Sequence, residues 1–585
     1  MQRVGFELYR RKDKTRQSLG TLVAQEGGPG YPSTASRGYY LGLFRPMADR
    51  HDVLLVDIRG TGTSGALLCR PLQRGTKPYL KAVAACGKQL GKRADTYGTA
   101  YGADDMALVL DALGIAKIDL YGDSYGTFFA QTFALRHPDR VRTLVLDASY
   151  PVSGQDPWWR DTNRAIVDAV TRVCERDARC AARPGSAVGR LRAVADRVHR
   201  NPVRGLAYDA EGNLRKVKLD GVNLALVTAY ATYGTSNYRE LDAALRAYRR
   251  GYDAPLFRMV AENIVTDPNS GPIAWYSAAE YVAVICNDYP QLWDVSLPPG
   301  PARKQQYQDS VADVKANDPT GFAPFRVDDW IDTDWVEQRT CLGWPTPSDP
   351  LPPEPPGAVY PTVPTLVLSG DLDSVTSPEG GLDVAGRFPQ STFVSVPNSG
   401  HVTALGDRQG CIAGIVVRFI RAGGSAGDTS CVSEYVPVRA VPRFARTAAG
   451  MTAASQGLAV SSTQKDRRVV ASALYASADV LTRWYNNYSG DGVGLRGGTF
   501  EYKGNGSGVV TFTMRRVAFV RDVAVTGTLR WNRKTGSMRT VIQVNGPAGH
   551  DGRLTAHWND WSPAAEASVT GRIGGRPVKL STPAP

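Results

Sequence analysis

The sequence predicts an α/β fold: a parallel sheet flanked by helices, interrupted by a mainly helical insertion and followed by a small antiparallel β domain. Three observations predict it. Short β-branched runs at Thr21–Ala24, Val53–Val56, Ile118–Leu120 and Val141–Leu146 alternate with helical stretches such as Asp104–Leu113, the rhythm of β-α-β units. Two more runs of the same kind, Thr365–Ser369 and Thr392–Val396, appear only after a long interval of helical periodicity. Beyond Arg446 the pattern becomes glycine-punctuated alternation, with TFEYKG, GVVTFTM, TGTLRWN, TVIQV, LTAHW and ASVTGRI as successive strands.

Taken in order, residues 1–150 form the N-terminal part of the sheet domain and 151–356 the insertion. Within the insertion, apolar residues recur at helical spacing over Asp161–Cys174, Val188–Val198, Tyr238–Arg250 and Ser277–Ile285, and one hairpin is expected around Asp209–Gly212. The insertion lies between the sixth and seventh strands, where it caps the face on which catalytic loops emerge, and it ends in the Pro-rich stretch Pro350–Pro356. Residues 357–440 complete the sheet. Residues 441–489 hold a linker and a polar helix over about Ser462–Asn487, and 490–585 form the β domain.

Composition narrows the function classes. With 42% hydrophobic and 21% charged residues the chain is globular and not disordered, and no stretch has the 18 or more consecutive apolar residues of a membrane-spanning helix. From Val441 onward there are 19 Lys/Arg against 8 Asp/Glu, so about +11 of the formal +13 sits in that segment. Its charges are scattered, and no zinc-finger, helix-turn-helix or RNA-binding signature accompanies them. No nucleic-acid partner is expected, whereas contact with an anionic cell envelope is. The eight cysteines fall into sequence-local couples, Cys69/Cys86, Cys174/Cys180 and Cys411/Cys431, with Cys286 and Cys341 left for each other. Four disulfides imply an oxidising compartment, outside the cell or in its envelope. That expectation rests on the cysteines, since the first residues, MQRVGFELYRRKDK, do not read as a signal peptide.

Gly122-Asp123-Ser124-Tyr125-Gly126 matches G-x-S-x-G, and so does Gly423–Gly427 around Ser425. Context separates them. Ser124 follows the strand KIDLY and opens the helix GTFFAQTFAL, the turn that projects a nucleophilic hydroxyl above a sheet, whereas Ser425 sits in a Gly/Ala/Ser loop. A serine needs an imidazole base. His51 precedes the nucleophile, His137 ends the helix behind it, and His550 and His557 belong to the β domain. Of these and His199, only His401 comes just after a strand, in the turn PNSGH. The acid is expected at the end of the preceding strand, where PTLVLSG runs into Asp371-Leu372-Asp373. Asp373 is preferred, with Asp371 as the alternative and Asp147 read as a loop cap. The turn Gly27-Gly28-Pro29-Gly30 offers bare N–H groups, so Gly27 or Gly28 is expected to join the N–H of Tyr125 in an oxyanion hole. The order Ser124, Asp373, His401 is that of an α/β-hydrolase with a helical cap.

EGGPG at Glu26–Gly30, DIRGTGTSG at Asp57–Gly65, GDSYGT at Gly122–Thr127 and NSGH at Asn398–His401 together resemble the prolyl and tripeptidyl aminopeptidase branch of the α/β-hydrolases. VICNDYP at Val284–Pro290, GDLDSVTS at Gly370–Ser377 and the Cys411/Cys431 couple are similar to secreted bacterial tripeptidyl aminopeptidases with their characteristic C-terminal segment. The match spans about Val4–Ala440 and leaves the β domain outside. It departs at Glu26, where that family often has His. The resemblance implies removal of a tripeptide, dipeptide or single residue from the N-terminus of peptides through an acyl-enzyme on Ser124, by a monomer without metal or cofactor. An exopeptidase of this kind holds a free α-ammonium in a partly buried pocket, for which Glu280 and Asp288 are the expected carboxylates. The alternatives are a carboxylesterase using the same triad and a non-catalytic envelope-binding protein.

Overall fold

A computed structural model of the chain describes residues 3–264, 269–333, 336–455, 462–487, 490–504 and 508–585. It contains two compact units. The first comprises Met1–Ile166, Asp267–Phe322 and Trp330–Ser433, and the second Val167–Thr266, Ala323–Asp329 and Glu434–Pro585. The 151–356 insertion is therefore divided between them.

The first unit is built on a seven-stranded sheet of β1 (Phe6–Tyr9), β2 (Gly20–Gln25), β3 (His51–Val56), β4 (Ile118–Asp123), β5 (Val141–Asp147), β6 (Thr365–Gly370) and β7 (Ser391–Val396). Their spatial order is β1-β3-β2-β4-β5-β6-β7, with only the edge strand β1 antiparallel. β3, β4 and β6 are buried at every position, as continuous apolar runs must be in a parallel sheet covered by helices on both faces. The fold class is the expected one, but the strand count shifts. Among the described residues five strands precede the insertion, not six, because a single edge strand leads into β2. Two helices matter for the site on this sheet, α1 (Thr99–Ala112) and α2 (Tyr125–Arg136). A third, α3 (Ala278–Asp288), comes from the insertion.

All four expected disulfides are formed: Cys69–Cys86, Cys174–Cys180, Cys286–Cys341 and Cys411–Cys431, with Cα separations of 5.5, 5.0, 5.3 and 5.9 Å. No helix among the described residues is long and apolar enough to cross a membrane.

The second unit pairs insertion helices and the hairpin Val203–Tyr208/Leu214–Leu219 with an eight-stranded antiparallel meander. The meander runs through β8 (Gly492–Val493), β9 (Thr499–Gly504), β10 (Val509–Val520), β11 (Val523–Asn532), β12 (Ser537–Asn545), β13 (Gly552–Asn559), β14 (Glu566–Ile573) and β15 (Arg576–Pro583). The polar helix is α4 (Gln464–Tyr485), opened by a capping box in which Thr463 and Asp466 satisfy each other's backbone N–H groups. A buried ionic cluster lies on it. Arg483, 1% exposed, donates to Asp479 one turn earlier at 3.1 Å and to Glu240 and Glu262, while Arg258 donates to Glu262 at 2.6 Å. Asp479 also accepts the Leu495 N–H at 2.7 Å and Arg258 donates to the Val493 carbonyl at 2.7 Å, so the cluster ties two insertion helices to the strand that opens the sheet and to the turn after it.

Candidate active site

Ser124 stands between β4 and α2 at φ 54°, ψ −125°, a conformation that L residues rarely hold. The turn closes only because its neighbours lack side chains. A β-carbon at Gly122 would lie 2.2 Å from the Gly126 carbonyl oxygen, and one at Gly126 would lie 2.1 Å from that of Gln25 at the end of β2. The loop after β2 passes directly over the serine, since a β-carbon at Gly27 would lie 3.2 Å from Ser124 Oγ. Both expected oxyanion segments thus meet at one hydroxyl. They differ in what their amides already do. The Gly27 N–H donates to the Glu26 carboxylate at 3.1 Å. The backbone N–H groups of Gly28 and Tyr125 donate to no group among the described residues, so of Gly27 and Gly28 it is Gly28 that has an available donor.

His401 and Asp373, the expected base and acid, are joined directly. His401 Nδ1 lies 2.9 Å from Asp373 Oδ2, and both side chains are buried. Asp373 also accepts from the N–H groups of Val375 and Thr376 at 2.8 and 3.1 Å and from the Thr376 hydroxyl at 2.6 Å, which fixes its carboxylate. Asp371 is the loop cap of the pair: its Oδ1 accepts the Asn398 N–H at 2.7 Å. The two turns are in close contact, for a β-carbon at Gly370 would lie 2.2 Å from the Gly400 carbonyl oxygen.

Asp147, at the end of β5, links the Ser124 backbone to the loop that follows His401. Its backbone carbonyl accepts the Ser124 N–H at 3.0 Å. Its carboxylate accepts the N–H and hydroxyl of Thr403, each at 2.8 Å, the Ala404 N–H at 2.7 Å and the Tyr121 hydroxyl at 2.9 Å. Reading Asp147 as a loop cap is right in kind, but the loop it caps is the one that follows His401. Of the six non-glycine residues with positive φ among the described residues, four surround this constellation: Ser124, Ala148, Asn398 and Val402. Strain of this kind collects where a fold over-determines its functional side chains.

The carboxyl of Asp123, beside the nucleophile, is also buried. Tyr40 Oη lies 2.8 Å from Asp123 and 3.1 Å from Glu26. Burial, and then the charge of Glu26, pushes Asp123 well above the usual carboxylate range.

α3 starts against the oxyanion loop, with the Ser277 N–H donating to the Gly30 carbonyl at 2.9 Å. It carries both expected amine-binding carboxylates, in different states. Asp288 caps α1, accepting from the Thr99 N–H at 2.7 Å and its hydroxyl at 2.6 Å, and burial pushes it up to about 7. The Thr99 hydroxyl in turn meets the Tyr125 hydroxyl at 2.8 Å. Glu280 is 1% exposed, and its Oε2 has no hydrogen-bond partner. Burial, then the charge of Asp288, raises it well above the ordinary range, and Arg59 opposes the shift. Both charges reach Tyr125, whose phenol is raised by burial first and by Asp288 and Glu280 after it. An aromatic group adjoins: Phe128, Tyr150, Trp159 and Tyr289 stack edge to face or tilted at centroid distances of 5.6–6.4 Å.

The remaining histidines are engaged elsewhere or exposed. His51 faces the Met47 carbonyl, His137 Asp104, His199 Asp329 and His550 Asp466, while His557 is exposed on the second sheet. Ser425 lies in a loop, as expected. Sequence reasoning missed Thr376 and Tyr40. Thr376 had one available signal, its place three residues after the acid in the same tight turn.

Two family profiles match the chain: the alpha/beta hydrolase fold over residues 20–174 and a TAP-like protein segment over residues 327–431. The chain is similar to the serine protease Hip1 of Mycobacterium tuberculosis, 25% identical over 460 residues that cover 70% of this chain and 80% of that protein. It is also similar to the tripeptidyl aminopeptidase of Streptomyces coelicolor, at 23% over 72% of this chain and 77% of the relative. Among solved structures, the proline iminopeptidase of Mycobacterium smegmatis aligns at 17% identity and a TM-score of 0.31, covering 73% of this chain and 97% of the other.

Proposed function

We propose that the chain, which has the α/β-hydrolase fold and matches a TAP-like segment over residues 327–431, is a serine exopeptidase that releases one to three residues from the free N-terminus of peptides. Ser124 Oγ attacks the scissile carbonyl while His401 Nε2 takes its proton, and Asp373 holds the Nδ1–H and stabilises the imidazolium. The N–H groups of Gly28 and Tyr125 receive the oxyanion. His401 returns the proton to the leaving amine, and water then hydrolyses the acyl-enzyme by the same route in reverse. The names of the relatives, a serine protease and a tripeptidyl aminopeptidase, support peptide over ester as substrate. The four disulfides support action outside the cytoplasm.

The observation that carries the exopeptidase reading is Glu280. A carboxyl that is buried, lacks a partner at Oε2 and lies within electrostatic reach of the residue after the nucleophile has the chemistry to receive an ammonium. On binding, the substrate's α-ammonium draws the carboxyl into its ionised form and supplies the missing partner. Asp288, occupied by Thr99, contributes charge at longer range.

The test is hydrolysis of chromogenic anilides carrying one, two or three residues, each with a free or acetylated N-terminus. Free-amine substrates are expected to be cleaved at least about 30-fold faster in kcat/KM than their acetylated counterparts, since a lost charged contact in a buried site costs about 2–5 kcal/mol. The length that is cleaved fastest defines the released unit. Glu280→Gln should raise KM for free-amine substrates by about 10–100-fold and leave the acetylated ones unchanged. Equal rates on both series, or a simple acyl ester as the better substrate, would replace this reading with an esterase.

A further inference from the structure

We infer that the open face of the C-terminal sheet is a docking surface for a linear acidic polysaccharide. One face of this sheet is lined by buried apolar residues, among them Phe512, Leu529, Trp531, Ile542 and Leu554. Alternate residues point the other way, and cross-strand partners share a face, so the register fixes the pattern of that outer surface.

Two basic rows run across the strands. In the first, Arg530 of β11 stands directly opposite Arg539 of β12, which stands opposite His557 of β13. In the second, Arg553 of β13 stands opposite Arg572 of β14. All five side chains are exposed. Between the rows lies a row of hydroxyls, in which Thr513 pairs with Thr528 and Thr555 with Thr570.

Like charges directly opposite on antiparallel strands are destabilising, and here the repulsion is not relieved internally. Among the described residues Arg530, Arg539 and Arg553 have no hydrogen-bond or ion-pair partner, and Arg572 donates only to the Gly575 carbonyl, at 2.7 Å. The segment 490–585 as a whole has 13 Lys/Arg against 6 Asp/Glu. Its complement is a partner that brings regularly spaced anions.

The spacing and chemistry of the face identify the partner. Neighbouring arginines within a row are about 5 Å apart, and the rows, separated by the four residues from Arg539 to Gln543, are about 14 Å apart. Guanidinium forks bind carboxylates in pairs of hydrogen bonds, and the intervening threonines match sugar hydroxyls. A single-stranded nucleic acid would call for exposed aromatic rings on which bases stack, and a bilayer for bulky apolar side chains to insert. The rows of this face are Arg, Lys, His, Thr, Ser and Gln, with Glu501 and Pro577 at row ends, Val541 half-buried among them and no Phe, Tyr or Trp.

The test uses the full chain and polygalacturonate as the probe, by affinity electrophoresis at low and moderate salt. The parent is expected to be retarded in a salt-dependent way by polygalacturonate and not by neutral dextran. Replacing Arg530, Arg539, Arg553 and Arg572 together by Gln should weaken binding roughly tenfold or more, and removing the opposed charges should leave the unfolding temperature unchanged or higher. Anilide hydrolysis should not change. A variant with the same charge loss elsewhere, K12Q/K14Q/K92Q/R93Q, should bind as the parent does. Equal weakening in that variant, no retardation of the parent, or tighter binding to duplex DNA or to phosphatidylglycerol vesicles would each overturn the inference.

Discussion

Replacing Ser124 by alanine is expected to lower kcat by about 10⁶-fold while KM stays within about threefold, because the hydroxyl forms its bond to substrate only on the way to the transition state. His401→Ala should cost about as much, and the double substitution no more than either single one, since the two act as a unit. Asp373→Asn should cost about 10⁴-fold: the amide cannot accept the Nδ1–H and so favours the wrong tautomer of His401. Asp371→Asn is the internal control. Its oxygen caps the Asn398 N–H, which an amide oxygen also accepts, so activity should remain within about threefold. A fluorophosphonate probe supplies a second readout that does not depend on the choice of peptide. It should label the parent and the Asp371 variant but not the Ser124 variant. Activity that survives Ser124→Ala, or is lost with Asp371 and not with Asp373, would refute the assignment.

The largest expected effect on stability lies far from this chemistry in the sequence. Arg483→Met should destabilise the second unit by about 3–5 kcal/mol, because among the described residues it leaves Glu240, Glu262 and Asp479 buried with Arg258 as the only cation bonded to the cluster. In a unit of this size that corresponds to a fall in unfolding temperature on the order of 10 °C, measurable by circular dichroism. The charge cluster makes a sharper prediction than a lost contact would. Adding Glu240→Gln to Arg483→Met should recover part of the loss, since one of the stranded carboxylates becomes neutral, whereas Glu240→Gln alone should destabilise. No recovery in the double variant would show that the arginine acts through packing and not through charge.

Much of the first unit was legible in the sequence because its signals are local. The elbow glycines, the strand-to-helix switch at Ser124 and the turn carrying His401 each lie within a few residues, and the steric limits at Gly122 and Gly126 explain why no other residue serves there. That Asp373 and not Asp371 is bonded to His401 was legible for the same reason. Other features depend on partners distant in the chain. The edge strand Phe6–Tyr9 is four residues long and only partly buried, too short for a periodicity to declare itself. The helix Pro301–Asn317 buries only Arg303, Tyr307 and Val314, so it has almost no apolar stripe to read. The helices Gly221–Ala229 and Ala254–Asn263 are buried nearly all round, and at nine and ten residues they are hard to tell by pattern from buried strands. The division of the insertion between two units was hidden because long-range contacts, such as those of Arg483 to Glu240 and Glu262, set it. Which carboxylate on α3 is unpartnered was likewise beyond the sequence, since Thr99, which occupies Asp288, lies 189 positions away.

The double attachment at Asp147 has a dynamic consequence. One residue anchors the serine through its carbonyl and the loop following the histidine through its carboxylate, so thermal displacement of the β5 end carries nucleophile and base in the same direction. Motion shared in this way changes their separation less than independent motion would. Proton transfer is sensitive to tenths of an ångström in that separation and indifferent to where the pair drifts as a whole. The strand end thus serves as one mount for Ser124 and the loop after His401.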